Sequence, residues 1–194
     1  MRKAAFTLLV AVLLVLGAAA AAVYSGAYNI GADAPHTDLV RGAIDTFRDR
    51  SIIAHARGIK APADLGSPRR IAAGAGLYDE MCTGCHLGPG LERSELSQGL
   101  YPSAPELAAG SDLTPEQQFW VIKHGVKLTA MPAWGKTHDD QLIWNMVAFL
   151  QQLPKMSPGQ YKAAVASAPE SHDEMMEHMA DTPHGHPPGH VHQH

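Results

Sequence analysis

The stretch Cys82-Thr83-Gly84-Cys85-His86 decides how this sequence is interpreted. Its spacing, C-x-x-C-H, is the attachment signature of a c-type haem. Two thiols three positions apart lie about one helical turn from each other. Each can therefore form a thioether with one of the two vinyl groups on the same porphyrin edge. The histidine that follows can donate a ring nitrogen to the iron, so the stretch predicts a covalent haem with His86 as an axial ligand.

The same pair of cysteines has two other interpretations, a redox dithiol and half of a zinc site. A redox dithiol is typical of a βαβ pattern, and no such pattern is visible in the sequence. A zinc site needs a second pair of ligands of similar spacing, but Cys82 and Cys85 are the only cysteines in the chain. Haem attachment is therefore favoured, and it leaves no thiol for a structural disulfide.

A candidate for the second axial ligand lies downstream, in the loop-like stretch from Lys127 to Trp134 that contains Met131-Pro132. A thioether there would complete a His/Met pair, the ligation that raises the potential of haem in electron carriers. Methionine also fills gaps in ordinary hydrophobic cores, so a core role for Met131 is the alternative. We predict that Met131 is the ligand.

Helical patterns surround the motif. They run from Ser67-Pro68 into the motif, from the capping residue Thr114 to Gly125, and from Asp139 to Leu153. Gly74 and Gly76 weaken the first of these helices intrinsically. Glycines at those positions make sense if another helix crosses at close range, and the apolar stripes of the third segment make it the expected partner.

Taken together, residues 70–153 resemble a small class I cytochrome c. The resemblance rests on the order and spacing of several stretches: Gly76-Leu77-Tyr78, the haem motif, Ile122, Gly125, Met131-Pro132-Ala133-Trp134, Leu142-Ile143-Trp144 and Val147-Ala148-Phe149-Leu150. It implies an all-α fold around one covalent haem c, with the N- and C-terminal helices crossing near Gly76 and Phe149. It also implies His86 as the proximal ligand and Met131 as the distal ligand.

The resemblance further implies a partner for the other ring nitrogen of the proximal histidine. In such proteins a backbone carbonyl soon after the motif usually holds that nitrogen, and this contact orients the ligand. In this sequence Pro89, within Leu87-Gly88-Pro89-Gly90, is the residue expected to take that role.

The N-terminus carries an apolar segment. Arg2 and Lys3 precede an uncharged run whose apolar centre is residues 6–23. Such a run fits a signal peptide, with A-x-A cleavage sites in residues 18–22, and it also fits a membrane-spanning helix. The run is longer than a typical signal-peptide core and Tyr24 suits a membrane interface. We therefore expect an uncleaved anchor, with the rest of the chain on the periplasmic side; a soluble periplasmic protein after cleavage is the alternative.

Residues between this segment and the haem region predict one amphipathic helix, from Leu39 to His55, with Gly58 as its C-cap. Its apolar face would contain Val40, Ala43, Ile44, Phe47, Ser51 and Ala54, at helical spacing. That face must bury itself against the haem domain, a bilayer surface or a partner. His36 and His55 are expected to be a cap-region and a helix-edge histidine, with ligation of a metal or second haem as the alternative.

The C-terminal residues form a tract rich in histidine and methionine, which is typical of metal binding. Its candidate copper or zinc ligands are His172, Met175, Met176, His178, Met179, His184, His186, His190, His192 and His194. His with Met suits copper, and His with carboxylates suits zinc. A solubilising tail with incidental metal affinity is the alternative.

The predicted organisation is an anchor or signal (1–32), an amphipathic helix and linker (33–66), a cytochrome domain (67–154) and a disordered tail (155–194).

These patterns predict electron transfer by one haem c per chain, not an enzyme. The alternative function is the handling of copper or another metal through the tail, and a third is an enzyme or gas sensor in which Met131 leaves the iron. Lys123, Lys127 and Lys136 bracket the Met131 loop, where they could steer an acidic redox partner or be ordinary solvated lysines. Partners are expected to be redox proteins and the membrane; with a net charge of −4, nucleic acid is not expected.

Overall fold

The computed structural model describes residues 2–169. Within them the chain forms eight α-helices and no strand, which confirms the predicted all-α class. The helices are α1 (Arg2–Tyr24), α2 (Asp38–Ala56), α3 (Pro68–Met81), α4 (Thr83–His86), α5 (Glu95–Gly99), α6 (Pro115–His124), α7 (Asp140–Leu150) and α8 (Pro158–Ala166). The chain divides into two compact units, Met1–His36 and Thr37–His194.

The first unit consists of α1 and the loop that follows it. An 18-residue window of α1 has a mean hydropathy of 2.7, and none of the helix is buried. A helix of 23 residues rises about 1.5 Å per residue, which is enough to cross the hydrocarbon core of a bilayer. Among the described residues, α1 is the one helix long and apolar enough to do so. It fits a membrane anchor.

In the second unit, α3 and α7 cross at close range. A Cβ atom on Gly74 would lie 2.0 Å from the carbonyl oxygen of Asn145 and 2.8 Å from the Cβ of Phe149. Only glycine allows the two backbones to approach this closely. The expected crossing of these helices is therefore present, with a close approach at Gly74 and Phe149.

The third core helix, α6, packs against α7. Thr114 and Gln117 form a capping box at its start, and Gly125 ends it with a φ of 65°. Phe119 of α6 stacks on Trp144 of α7 with ring centroids 4.2 Å apart and planes 18° apart. Both rings belong to one buried cluster that also contains Leu77 of α3. This three-helix core positions the haem motif and the Met131 loop.

Helix α2 packs against α6, but not with the whole face predicted from its sequence. Ile52 and Ala56 are its buried residues, whereas Phe47, which we placed on the buried face, is 79% exposed. Half-buried Arg48 lies one turn before Ile52, and its guanidinium pairs with Asp45 and Asp49. An arginine stem can cover apolar surface while its charged end stays in water, so a pattern of apolar residues alone mislocated the face. Nor is Gly58 the C-cap, because Arg57 takes that position.

The last described helix, α8, begins with a capping box formed by Ser157 and Gln160. Its Tyr161 is 2% exposed and packs against Tyr78 and Phe149 in a second buried cluster. Part of the segment that the sequence assigned to the tail therefore packs on the helical core. The predicted metal-ligating residues 172–194 lie outside the described residues.

Candidate haem site

The two cysteines lie on either side of the start of α4. Cys82 ends α3, and its carbonyl oxygen accepts hydrogen bonds from the backbone N–H groups of Cys85, at 3.1 Å, and His86, at 2.8 Å. Both thiols are free. Burial raises the pKa of the Cys82 thiol to about 12, and the nearby Cys85 adds to the effect. One short turn thus carries two free thiols and an imidazole, as attachment to one porphyrin requires.

The imidazole of His86 is oriented by the backbone. Its Nδ1 lies 2.8 Å from the carbonyl oxygen of Pro105. A carbonyl can only accept, so Nδ1 carries the proton and Nε2 keeps the lone pair that a metal needs. Burial lowers the pKa of His86, although the hydrogen bond to Pro105 works in the opposite direction. The ring is therefore set up as a neutral nitrogen donor.

This contact corrects the assignment of Pro89 as the residue that orients His86. The chain turns at Leu87, whose φ is 60°, and the loop that follows packs on α8 instead. A Cβ on Gly88 would lie 3.0 Å from Cζ of Tyr161, and one on Gly90 would lie 2.8 Å from Cβ of Pro158. The loop containing Pro89 is thus held against α8, and a residue farther along the chain supplies the carbonyl.

The Met131 loop is held against the end of α6. The N–H of Val126 donates to the Met131 carbonyl at 3.2 Å, and the N–H of Met131 donates to Thr129 Oγ1 at 3.1 Å. A Cβ on Gly125 would lie 2.7 Å from the Met131 oxygen, so glycine is required there. Half-buried Met131 packs against the same buried cluster as Cys82. The structure thus brings the predicted distal ligand and Cys82, the first residue of the attachment segment (residues 82–86), onto one apolar cluster.

These donors fit a haem c: two free thiols one turn apart, a neutral imidazole with an available Nε2, and a thioether on the same cluster. Residues 69–150 match the family model described as cytochrome c oxidase, cbb3-type, subunit III. The chain contains a c-type cytochrome domain. Such a domain carries haem c. No curated protein and no solved structure shows a significant match to the chain.

Helices α2 and α8 lie outside the matched residues of the cytochrome domain, yet both pack on it. Helix α2 covers α6, where the ring of His55 lies against Trp120 with centroids 5.5 Å apart. Through Tyr161, helix α8 packs beside the C-x-x-C-H motif, in the buried cluster that Cys82 also contacts. Neither helix could be placed from the sequence resemblance, because both lie outside the residues that it covers.

The lysines around the Met131 loop of the cytochrome domain are not equivalent. Lys123 Nζ lies 2.6 Å from Asp140 Oδ1 and 5.5 Å from the centroid of Phe119, so an acid on the same domain neutralises much of its charge. Lys127 and Lys136 are exposed. The local positive charge available to a partner therefore comes mainly from these two lysines.

The remaining described histidines make ordinary structural contacts. His55 Nδ1 lies 2.8 Å from the Ser51 carbonyl, and His36 Nδ1 lies 2.5 Å from the Tyr28 hydroxyl. His138 is 5% exposed and meets Trp134 edge-on, and His124 packs against Trp120. Within residues 2–169, no three His, Cys, Asp or Glu side chains are grouped to hold a metal ion.

Proposed function

We propose that this protein is a one-haem electron carrier with His86 and Met131 as its axial iron ligands. The hydrogen bond from His86 Nδ1 to the Pro105 carbonyl carries the proposal, because it leaves Nε2 free on a C-x-x-C-H turn of a c-type cytochrome domain. The haem would supply a one-electron change between Fe(III) and Fe(II). In support of this, Cys82 and Cys85 can hold it covalently, and the buried clusters beside Cys82 can exclude water.

His/Met ligation agrees with the position of Met131. A thioether stabilises Fe(II) and raises the reduction potential, which suits a carrier. The hydrogen bonds of Val126 and Thr129 to the Met131 backbone restrict the loop, and a restricted loop favours a ligand that stays bound in both oxidation states. This is what distinguishes a carrier from an enzyme or gas sensor, which needs an open position on the iron.

The proposed location is the periplasmic face of a membrane, with α1 as an uncleaved anchor. The support is the length and apolarity of α1 and the positive charge of Arg2 and Lys3 at its start, since cationic ends tend to remain cytoplasmic.

The proposed partners are redox proteins. The matched family is described as an oxidase subunit, so a membrane oxidase is one class of partner to test, with Lys127 and Lys136 as the residues that would attract acidic groups on it.

The deciding experiment is spectroscopy of the full-length protein in both oxidation states, combined with a redox titration. We expect low-spin spectra of a six-coordinate haem in both states and one reversible one-electron step. A high-spin ferrous spectrum that changes when carbon monoxide is added would contradict the carrier and favour an enzyme or gas sensor. More than one redox step would contradict the single haem.

A second candidate function is metal handling, in which the tail captures copper and the haem changes the oxidation state of that copper. The observation that favours it is the concentration of seven histidines and three methionines in residues 172–194. Imidazole and thioether ligands together suit copper, and imidazole with carboxylate suits zinc.

A further inference from the structure

Tyr161 joins α8 to the haem-attachment segment. Its side chain is 2% exposed, and its hydroxyl donates to Asp79 Oδ1 at 2.6 Å. Asp79 lies about one helical turn before Cys82, and its carbonyl accepts a hydrogen bond from Thr83 Oγ1 at 2.6 Å. Asp79 of α3 is thus hydrogen-bonded through its side chain to α8 and through its backbone carbonyl to Thr83, which lies inside the C-x-x-C-H motif.

The ring of Tyr161 also covers the loop directly after His86. A Cβ on Gly88 would lie 3.0 Å from Cζ of Tyr161, so the backbone passes close to the ring. The ring meets Tyr78 edge-on, with centroids 6.5 Å apart and planes at 87°. Tyr78 in turn donates to the Leu87 carbonyl at 2.5 Å. The backbone on the C-terminal side of His86 is therefore held by two tyrosines, one of them on α8.

Cys82 packs against the same buried cluster as these two rings. Burial raises the pKa of Tyr161, and its hydrogen bond to Asp79 adds to this effect, so the hydroxyl remains a donor at neutral pH. The contacts of Tyr161 thus reach the attachment segment at its beginning, near Asp79 and Cys82, and just after its end, at Gly88.

We propose that Tyr161 is a positioning residue for the haem. Its hydroxyl partly compensates the charge of the Asp79 carboxylate, so α8 influences the electrostatic potential at the iron. Its ring holds the Leu87–Gly88 backbone, so α8 also influences the orientation of the His86 imidazole. The inference rests on the proposed function, since it concerns a haem attached through Cys82 and Cys85. Because α8 lies outside residues 69–150, the family match does not assign this role.

The direction of the electrostatic effect follows from the charge on Asp79. Without the Tyr161 hydroxyl, the half-buried carboxylate loses a hydrogen-bond donor and its negative charge is less compensated. A negative charge near a haem stabilises Fe(III) relative to Fe(II), because the ferric site carries one more positive charge. The midpoint potential should therefore fall.

The test is a redox titration at neutral pH of full-length haem-loaded Tyr161→Phe, Asp79→Asn and the double variant. We expect Tyr161→Phe to lower the midpoint potential and Asp79→Asn to raise it. Tyr161→Phe should shift the potential less in the Asp79→Asn background than in the wild type, because the carboxylate is absent. Tyr24→Phe is the matched control, since Tyr24 is 90% exposed. No shift for Tyr161→Phe, or equal shifts in both backgrounds, would overturn the electrostatic role.

The role of the ring is tested by paramagnetic NMR, because the spread of the haem methyl resonances reports the orientation of the axial histidine. We expect Tyr161→Ala to change this pattern and Tyr161→Phe to keep it close to wild type; if Tyr161→Ala does not accumulate, Tyr161→Leu replaces it. An unchanged pattern in the smaller variant would overturn the positioning role of the ring. A wild-type protein without covalent haem would instead overturn the proposed function, so the two failures are distinguishable.

Discussion

Nδ1 of His86 lies 2.8 Å from the carbonyl oxygen of Pro105, which is 19 residues farther along the chain. Two residues just after Pro105, Leu107 and Ala108, pack against the buried cluster that contains Phe149. The carbonyl that orients the proposed iron ligand is therefore held by the same core that receives α3 and α7. Ligand orientation and core packing are linked in this protein, and destabilising the core should loosen the haem ligand.

The covalent attachment is tested by replacing both cysteines. The double variant Cys82→Ser, Cys85→Ser should lose all haem to acid-acetone extraction, because serine has no sulfur with which to form a thioether. Thr83→Ser is the control, since serine keeps the hydroxyl that bonds to the Asp79 carbonyl. Haem that stays on the polypeptide of the double variant after extraction would contradict the assignment of Cys82 and Cys85.

The second axial ligand is tested by Met131→Leu. We expect the sulfur-to-iron charge-transfer band of the ferric protein to disappear and the reduction potential to fall, because a thioether favours Fe(II). Met156→Leu is the control, since Met156 packs against the other buried cluster. If band and potential both survive Met131→Leu, another residue is the ligand, and His124 and His138 are the next positions to replace.

The crossing of α3 and α7 is tested by Gly74→Ala. The added methyl would lie 2.0 Å from the Asn145 carbonyl oxygen, so the helices must separate. We expect a loss of about 3 kcal/mol in the free energy of unfolding, measured by urea denaturation, since overpacking costs roughly 1–3 kcal/mol. Gly42→Ala, within α2 and with nothing inside 4 Å, should instead be neutral or stabilising. Equal stability of Gly74→Ala and wild type would show that the helices cross elsewhere.

The state of the N-terminal segment is tested by the intact mass of protein extracted from membranes. If α1 is an uncleaved anchor, the mass should include Arg2, with or without Met1. A mature chain that begins near Val23 and is found in the soluble periplasmic fraction would show that the segment is a cleaved signal peptide.

The role of the tail is tested by deleting residues 170–194. We expect this deletion to abolish copper uptake and leave the haem spectrum unchanged, with copper affinity in the full chain falling as the pH drops through about 6.5, because imidazole must be neutral to bind a metal. Copper uptake that survives the deletion would place the metal ligands elsewhere in the chain.

A coupling of tail and haem predicts a further difference. If the tail works with the haem, added Cu(II) should oxidise the ferrous full-length protein faster than the truncated one. Equal oxidation rates would leave the tail as a separate chelator or without a role in metal handling, and would favour the plain electron carrier. Zinc, which does not change its oxidation state, is the control ion.

The sequence by itself determined the features that depend on local order. The C-x-x-C-H motif, the capping box at Thr114 and the apolar run of α1 are written in consecutive residues. Caps, helical periodicity and membrane-length apolar runs depend on neighbours within a few positions, so their physical consequences can be derived without a fold.

Tertiary structure decided which distant residues support those features. Pro105, and not Pro89, orients His86, because the loop after the motif packs on α8. The buried residues of α2 are Ile52 and Ala56, whereas Phe47 is exposed, and Tyr161 from beyond the matched domain reaches Asp79. No local sequence signal marks the carbonyl that orients His86 or the carboxylate, 82 residues away, that accepts the hydrogen bond of the Tyr161 hydroxyl. These contacts depend on how the helices pack, so they exist only in the folded chain.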